Sequence, residues 1–291
     1  MTNITLTSPH LEKRNYKLKG SVVLRNGEEK FSVSNYLDTL QLVEAHFALF
    51  PDKKSITVGE KEYTREEFFQ MPDLWHHRGK YEITPEKWIK TRGEPHPTRP
   101  SVPETTLYSR YSPQIGKTVS LRKLTLKDLP VFHKWHNSPR VSHFWELNKP
   151  EEELTKYIEE GSKDPHHILT LLEADGEPVG YFEIYWVKEN RLGAYYDCEP
   201  FDRGFHFLIG NSAFLGAVNT DAFVKSVLHF IYLDEARTRR VMAEPRSDNA
   251  KVLKYAEATI GWKKLKEFNF PHKRSALLEN SREVFFQGLP L

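Results

Sequence analysis

The stretch from Phe201 to Thr220, FDRGFHFLIGNSAFLGAVNT, joins an apolar run of strand character to a turn of small residues and then to a capped helix start. A chain built on such junctions stacks helices on a sheet. The turn also gathers backbone N–H groups from about Phe214 to Asn219 at the helix N-terminus. There the helix dipole adds partial positive charge, and Gly216 permits close approach. Phosphate binds at junctions of this kind, although an ordinary strand-to-helix loop looks the same in sequence.

The rest of the pattern predicts a mixed α+β fold in two units. With 291 residues the chain has room for one large or two ordinary domains. Five prolines between Arg92 and Pro113 deny helices and interior strands their hydrogen bonds, so a linker is set at residues 101–117. Before it, residues 1–100 form a small α+β unit. Ser21 to Leu24 and Glu29 to Val33 read as strands around Asn26-Gly27, Asn35 to Phe50 as an amphipathic helix, Ser55 to Val58 and Lys61 to Thr64 as a hairpin, and Arg65 to Gln70 as a short helix. After it, residues 118–291 alternate strands and helices. Thr118 to Lys123 is a strand, and Thr125 to Trp135 and Pro150 to Glu160 are helices. Ile168 to Ala174 and Val179 to Val187 form a hairpin across Asp175-Gly176, and Phe205 to Ile209 is a further strand. A helix is expected from Thr220 to Tyr232, a strand from Arg240 to Glu244, a helix from Asn249 to Glu257, and a strand pair near Lys266 to Phe270 and Ser275 to Leu278.

Composition narrows the function classes. Hydrophobic residues at 38% and aromatics at 13% supply enough apolar bulk for a core and exclude wholesale disorder. A formal charge of +2 with no long single-sign block removes the basic footprint of a nucleic-acid binder. One cysteine, Cys198, cannot form an internal disulfide, and the first residues lack the apolar core of a secretory signal, so a cytoplasmic location is expected. No apolar run approaches the roughly 20 residues of a spanning helix, so no membrane role is expected. The final REVFFQGLPL is assigned no function.

Several residues could carry chemistry. His206 sits mid-strand among apolar neighbours, where a half-buried imidazole stays near the neutral form that a general base needs; a satisfied core histidine has the same signature. Asp248, in EPRSDNAK, caps the next helix, and adjacent parallel strands would carry it to the same sheet end as His206, where it could orient the imidazole or pass a proton. In YFEIYW, Tyr181 to Trp186, Phe182, Ile184 and Trp186 alternate with Tyr181, Glu183 and Tyr185. Glu183 there needs a partner, either a cationic substrate or an arginine such as Arg203. Arg140, Phe144, Trp145 and Glu146 form a lid or a packed turn. His133, His136 and His143 lack the spacing of a zinc site, so no metal is expected.

From about Thr118 onward, the element order resembles the GNAT acyl-CoA-dependent acyltransferases. The strings PRVSHFWE, YFEIYWVKENRLGAYYD, EPFDRGFHFLIG, LDEARTRRVMAEPRSDN and KEFNFPHKRSALL look like those of siderophore-biosynthesis hydroxylamine acyltransferases. The resemblance covers most of residues 100 to 291. It implies a GNAT fold for 118–291, with 1–100 as a degenerate GNAT-like half, and acetyl-CoA as co-substrate. It also implies an N-hydroxylated diamine or N-hydroxylysine as acceptor and a hydroxamate as product. It makes His206 and Asp248 the active pair and lays the acyl-CoA along Phe207, Leu208 and Ile209 and on the turn Phe214, Leu215, Gly216, Ala217, Val218 and Asn219, with Asn249 on the pantetheine side. Glu146, Trp145, Glu183, Trp186 and Asp202 are the residues expected at the acceptor. Ala213 stands where an Arg or Gln is usual, which leaves phosphate binding to backbone donors. Acetylation of an unmodified polyamine or protein N-terminus, and acyl-CoA binding without turnover, are the competing functions.

Overall fold

The computed structural model describes residues 3–8, 11–19, 22–28, 32–33, 35–77, 85–103, 105–259 and 261–288. The chain begins with a three-stranded antiparallel sheet, β1 (Asn3–Ser8), β2 (Leu11–Lys19) and β3 (Val22–Arg25). Arg25 bridges Glu28 across Asn26 and Gly27, both at positive φ, as this dipeptide predicts. The strand paired with β3 is nevertheless β2, and the expected second strand, Glu29 to Val33, falls largely outside the described residues. Helix α1 (Tyr36–Leu49) starts where the sequence says, because the Asn35 side chain accepts from the Asp38 N–H. The hairpin β4 (Ser55–Val58) and β5 (Lys61–Thr64) and the one-turn α2 (Arg65–Phe68) follow as expected.

The proline-rich stretch is structured. Its first prolines, Pro95 and Pro97, lie on the hairpin of β6 (Trp88–Thr91) and β7 (Glu94–Pro97), a two-stranded ribbon that tolerates them. Within 101–117, the residues expected as linker, lies β8 (Thr106–Ser112), a full strand of the main sheet in the proline-free gap between Pro103 and Pro113.

The remaining elements are β9 (Lys117–Lys123), α3 (Leu129–His136), α4 (Pro139–Trp145), α5 (Glu151–Lys163), β10 (His167–Ala174), β11 (Glu177–Trp186), β12 (Arg203–Ile209), α6 (Ala217–Asp234), β13 (Arg240–Ala243), α7 (Ala250–Thr259), β14 (Lys263–Asn269), β15 (Arg274–Ser281) and α8 (Arg282–Gly288). Eight strands make one sheet in the order β14-β15-β13-β12-β11-β10-β9-β8. Its one parallel pair is β12 with β13, matched only at Arg203↔Val241 and Gly204↔Met242. Beyond Gly204 the two strands part. The chain after β13 keeps bonding to β15 instead, through Ala276 N–H to Pro245 O and Ser247 N–H to Arg274 O. The gap leaves one edge of β12 without a strand partner.

Period-two alternation assigns the sheet's two faces. Phe182, Ile184, Phe205 and Ile209 pack against α6, whose Phe223, Val224 and Val227 share one core with Leu40, Val43 and Phe47 of α1. On the opposite face Leu169, Leu171, Tyr181 and Leu208 meet α3, α4 and α5 through Phe132, Val141, Leu154 and Ile158. The described part of residues 1–100 therefore packs into the main core. Its ties to α6 are polar as well as apolar: His229 Nε2 lies 2.6 Å from Phe69 O, and His76 lies 3.3 Å from Asp234.

Helix α8, to which the sequence reading gave no weight, buries Phe285 and Phe286 against Tyr232 of α6, with ring centroids 5.3 and 5.9 Å apart. Phe285→Ala should lower unfolding free energy by about 3–5 kcal/mol in a denaturant titration, as large-to-small changes in a filled core do.

Candidate active site

The side chains of Glu183, Tyr185, His206, Glu244 and Lys273 build the centre. In the β11–β12 register Glu183 lies opposite His206 and Tyr185 opposite Gly204, so all four positions are on the face covered by α3, α4 and α5. Immediately after β13, Glu244 turns its buried carboxylate to the same place. Its Oε1 lies 2.7 Å from His206 Nε2, and its Oε2 accepts from the Tyr185 hydroxyl at 2.8 Å. Lys273, in the β14–β15 turn, donates to the Glu244 backbone carbonyl at 2.8 Å. Gly204 makes this possible: a Cβ there would stand 2.5 Å from the Tyr185 ring, which crosses it to reach Glu244.

The electrostatics follow. Burial pushes Glu244 up, but the charge and hydrogen bond of His206, then Lys273 and the Tyr185 hydroxyl, hold it down to about 2. Burial lowers His206, and the charge and hydrogen bond of Glu244, followed by Glu183, outweigh it and raise the imidazole above its ordinary value. A carboxylate only accepts, so its bond fixes the proton of neutral His206 on Nε2. Nδ1 then carries the lone pair. It makes no hydrogen bond among the described residues, and the side chain keeps 28% of its surface exposed.

Of the residues expected at the acceptor, three gather here. Trp145, on α4, sets its ring 6.3 Å from His206 and 5.5 Å from Tyr181, and Arg140 of the same helix donates to Gly210 O at 3.1 Å, tying α4 to the end of β12. Glu146 follows in a left-handed C-cap and is exposed. Glu183 accepts from Tyr157 at 2.8 Å and lies 3.5 Å from His167. Burial would raise it, but His167, His206 and Tyr157 hold it ionised below its ordinary value. Within the chain its partners are thus Tyr157 and His167 and not Arg203, which pairs with Asp234.

Trp186 and Asp202 do not join the site. Trp186 lies on the opposite face, with the Arg99 and Arg203 guanidiniums 4.0 and 3.9 Å from its ring centre. Asp202 is buried against Arg240 and Tyr196. Asp248 is not the partner of His206. Bonding to β15 carries the chain away from β12, and the exposed Asp248 pairs with Arg246 at 2.9 and 3.0 Å. The helix cap expected of Asp248 is supplied by Asn249, whose Oδ1 accepts from Val252 N–H. Glu244 was missed because a glutamate at a strand end is commonplace in sequence; the alternation of Met242 and Glu244 on one side of β13 was the available signal.

The turn after β12 differs in detail from expectation. The Phe214 and Leu215 N–H groups bond to Asn211 and Ser212, leaving those of Gly216 to Asn219 without backbone partners. Helix α6 begins at Ala217, three residues earlier than Thr220, with Gly216 at φ 123° before it. These donors follow directly in the chain from β12, whose residues Phe207, Leu208 and Ile209 have no strand paired on the β13 side. The Tyr255 hydroxyl of α7 donates to Ala217 O at the start of α6.

His133, His136 and His143 do not converge. His136 is buried, and desolvation holds it down to about 4 despite its bond to Phe132 O. Among the described residues His96, His166 and Glu189 bring possible ligand atoms within 4.8 Å of one another. Arg99 already takes both Glu189 oxygens, at 2.5 and 2.7 Å. No described helix is long and apolar enough to cross a membrane.

Comparison with known proteins agrees with this architecture. The sequence family described as the acetyltransferase (GNAT) domain matches residues 125–270. The N(6)-hydroxylysine O-acetyltransferase of Escherichia coli is 37% identical, over 67% of this chain and 62% of its own length. The N(5)-hydroxyornithine:cis-anhydromevalonyl coenzyme A-N(5)-transacylase of Beauveria bassiana is 39% identical, over 67% of this chain and 44% of its own. The chain thus spans roughly half of these relatives. A crystal structure of an uncharacterized protein from Bacillus halodurans superposes with a TM-score of 0.59 at 28% identity, covering 62% of this chain and 93% of that one.

The Glu244 charge is the largest influence lifting His206, with Glu183 behind it, so removing it should lower the imidazole. In Glu244→Gln, the imidazole should titrate lower in an NMR pH series than in the unmodified protein, where it should titrate above its ordinary range. An unchanged midpoint would mean that Glu244 does not set the His206 charge.

Proposed function

The chain belongs to the GNAT acetyltransferase family, and from that premise we propose that it moves an acetyl group from acetyl-CoA to the hydroxylamine nitrogen of an N-hydroxylated diamine or lysine, in the cytoplasm, making a hydroxamate for a siderophore and so for iron acquisition. The observation that carries this reading is the part-exposed imidazole of His206, anchored through Nε2 by a buried carboxylate, with no hydrogen bond at Nδ1 among the described residues, where strands β12 and β13 part. The names of the relatives, which act on hydroxylysine and hydroxyornithine, support the choice of acceptor.

The chemistry asks little beyond a base and a hole for an oxyanion. An aliphatic amine is cationic at neutral pH and must first lose a proton, whereas its N-hydroxylated form is already mostly neutral and nucleophilic. The hydroxylamine nitrogen attacks the thioester carbonyl, forming C–N, and His206 Nδ1 takes the nitrogen's proton. The C–S bond then breaks, and the thiolate of CoA leaves with the electron pair and is protonated in turn. Neutral His206 is required, so kcat/KM rises with pH through the imidazole's raised pKa. Glu244 and Tyr185 orient the ring and stabilise its cation. Backbone N–H groups on the free edge of β12 near Phe207 to Ile209 serve the oxyanion. That edge also takes the amides of pantetheine as an added strand would. The unpartnered N–H groups from Gly216 to Asn219 receive the pyrophosphate. Asn249, spent as a cap, lies on the pantetheine side, and Asp248 with Arg246 shapes the entrance.

Residues 1–100 act in this reading as a degenerate half that buttresses α6 and keeps its N-terminus aimed at the cleft. The contacts of Phe69 and His76 with α6 support that role.

His206→Ala should lower kcat by about 10²–10⁴ while acetyl-CoA still binds in calorimetry. Turnover equal to that of the unaltered enzyme would remove His206 from the mechanism.

A further inference from the structure

The surroundings of His206 are rich in groups that accept hydrogen bonds and poor in free donors. Glu183 and His206 stand opposite each other across the β11–β12 pair, which sets their Cβ atoms about 4.5–5.5 Å apart on one face. Nδ1 of neutral His206 offers a lone pair. The two oxygens of Glu183 are unequally occupied. Oε2 takes the Tyr157 hydroxyl at 2.8 Å and the Tyr181 hydroxyl at 3.4 Å. Oε1 meets His167 Nδ1 at 3.5 Å, longer than an N–H···O bond normally runs, and 16% of the side chain stays exposed. A third acceptor is His136 Nε2, which is buried with no hydrogen-bond partner among the described residues. Its ring meets Trp145 and Tyr181 at 5.4 and 5.9 Å, and its proton is spent on Phe132 O. The adjoining hydroxyl and ammonium donors are committed: Tyr157 to Glu183, Tyr185 to Glu244, and Lys273 to the Glu244 carbonyl.

A ligand that satisfies such a wall brings donors of its own. An N-hydroxylated amine carries two on adjacent atoms, N–H and O–H. Acyl transfer spends only the N–H, on His206 Nδ1, and Glu183 is the acceptor beside it for the O–H. Burial would raise the Glu183 carboxyl, but His167, His206 and Tyr157 hold it below its ordinary value. It is therefore far too weak a base to remove a hydroxyl proton, and it receives a hydrogen bond instead. An unhydroxylated amine meets the same carboxylate as an ammonium and is held in its charged, non-nucleophilic form.

We propose that Glu183 selects the attacking atom: its Oε1 takes the hydroxyl of the hydroxylamine, which turns that oxygen away from the thioester and presents the nitrogen. The C–N bond then forms, the C–S bond breaks with its electron pair going to the thiolate, the nitrogen's proton passes to His206, and the O–H survives in the hydroxamate. Tyr157 and His167 are positioning residues that hold the carboxylate in place. This rests on the acyl-transfer reading and adds to it the group that separates N-acylation from O-acylation.

The test compares the full chain with Glu183→Gln and Tyr157→Phe, each given acetyl-CoA with N6-hydroxylysine and with N-hydroxycadaverine. Rates are taken on the plateau of the pH profile, because Glu183, after burial and Glu244, also acts on the charge of His206. N-acetyl and O-acetyl products have equal mass; chromatography separates them, and only the N-acetyl hydroxamate forms a coloured ferric complex. The unaltered chain should give the hydroxamate. Glu183→Gln should lower kcat/KM by about tenfold to a hundredfold, the size of one charge-assisted hydrogen bond, and raise the O-acetyl share. Tyr157→Phe, which keeps the charge but loosens its hold, should move the share the same way by less. A merely structural role would lower turnover and leave the product ratio alone, so a ratio unchanged in both variants overturns the inference and leaves acyl transfer standing. No acetylated product from either hydroxylamine with the unaltered chain overturns the acyl-transfer reading and this inference with it.

Discussion

One buried carboxylate organises the centre of this protein. Glu244 takes the Tyr185 hydroxyl on one oxygen and the His206 imidazole on the other, and Lys273 holds its backbone. Desolvating a carboxylate is unfavourable unless its oxygens are matched, and here each oxygen has a donor. The arrangement dictates local sequence. Gly204 must lack a side chain for Tyr185 to cross it, and β12 and β13 must pair closely at Arg203 and Gly204 before parting. The same parting opens the edge of β12. The geometry that anchors the imidazole is therefore also the geometry that creates the cleft beside it.

The cleft depends on a core that runs through most of the chain. Helix α6 lies across the sheet and presents its first N–H groups at the end of β12. Its rear is packed by α1 and α8, and its flanks are bonded to Phe69 and His76. The opposite face is closed by α3, α4 and α5, with α4 tied to the end of β12 through Arg140 and Gly210. Trp145 reaches His206 from that helix, so the imidazole is walled by an aromatic surface on one side and by the sheet on the other.

Local signals in the sequence were strong where short-range physics decides structure. Asp175-Gly176 set the β10–β11 hairpin, Asn35 set the start of α1, and the strand of His206 was legible from its apolar neighbours. The signals were weak where partners come from afar. Asp248 looked like the companion of His206 because parallel strands carry both to one sheet end, yet bonding to β15 draws the segment after β13 aside and leaves Glu244 in contact. Trp186 and Glu183 do not share a pocket, because strand alternation sets them on opposite faces of the sheet. Prolines between Arg92 and Pro113 hid β8, which occupies the gap between two of them. The free donors of α6 begin at Gly216 because the two residues before it close a tight turn, a detail that depends on hydrogen bonds rather than composition.

The central claim is that the chain acylates a hydroxylated nitrogen. The measurement that tests it most directly is the mass of the product formed from acetyl-CoA with an N-hydroxylated amine and, separately, with its parent amine. A product heavier by one acetyl group that binds ferric ion as a hydroxamate, with little or no product from the parent, is the expected result. Equal acetylation of the parent amine would contradict the claim and point to a general amine acetyltransferase.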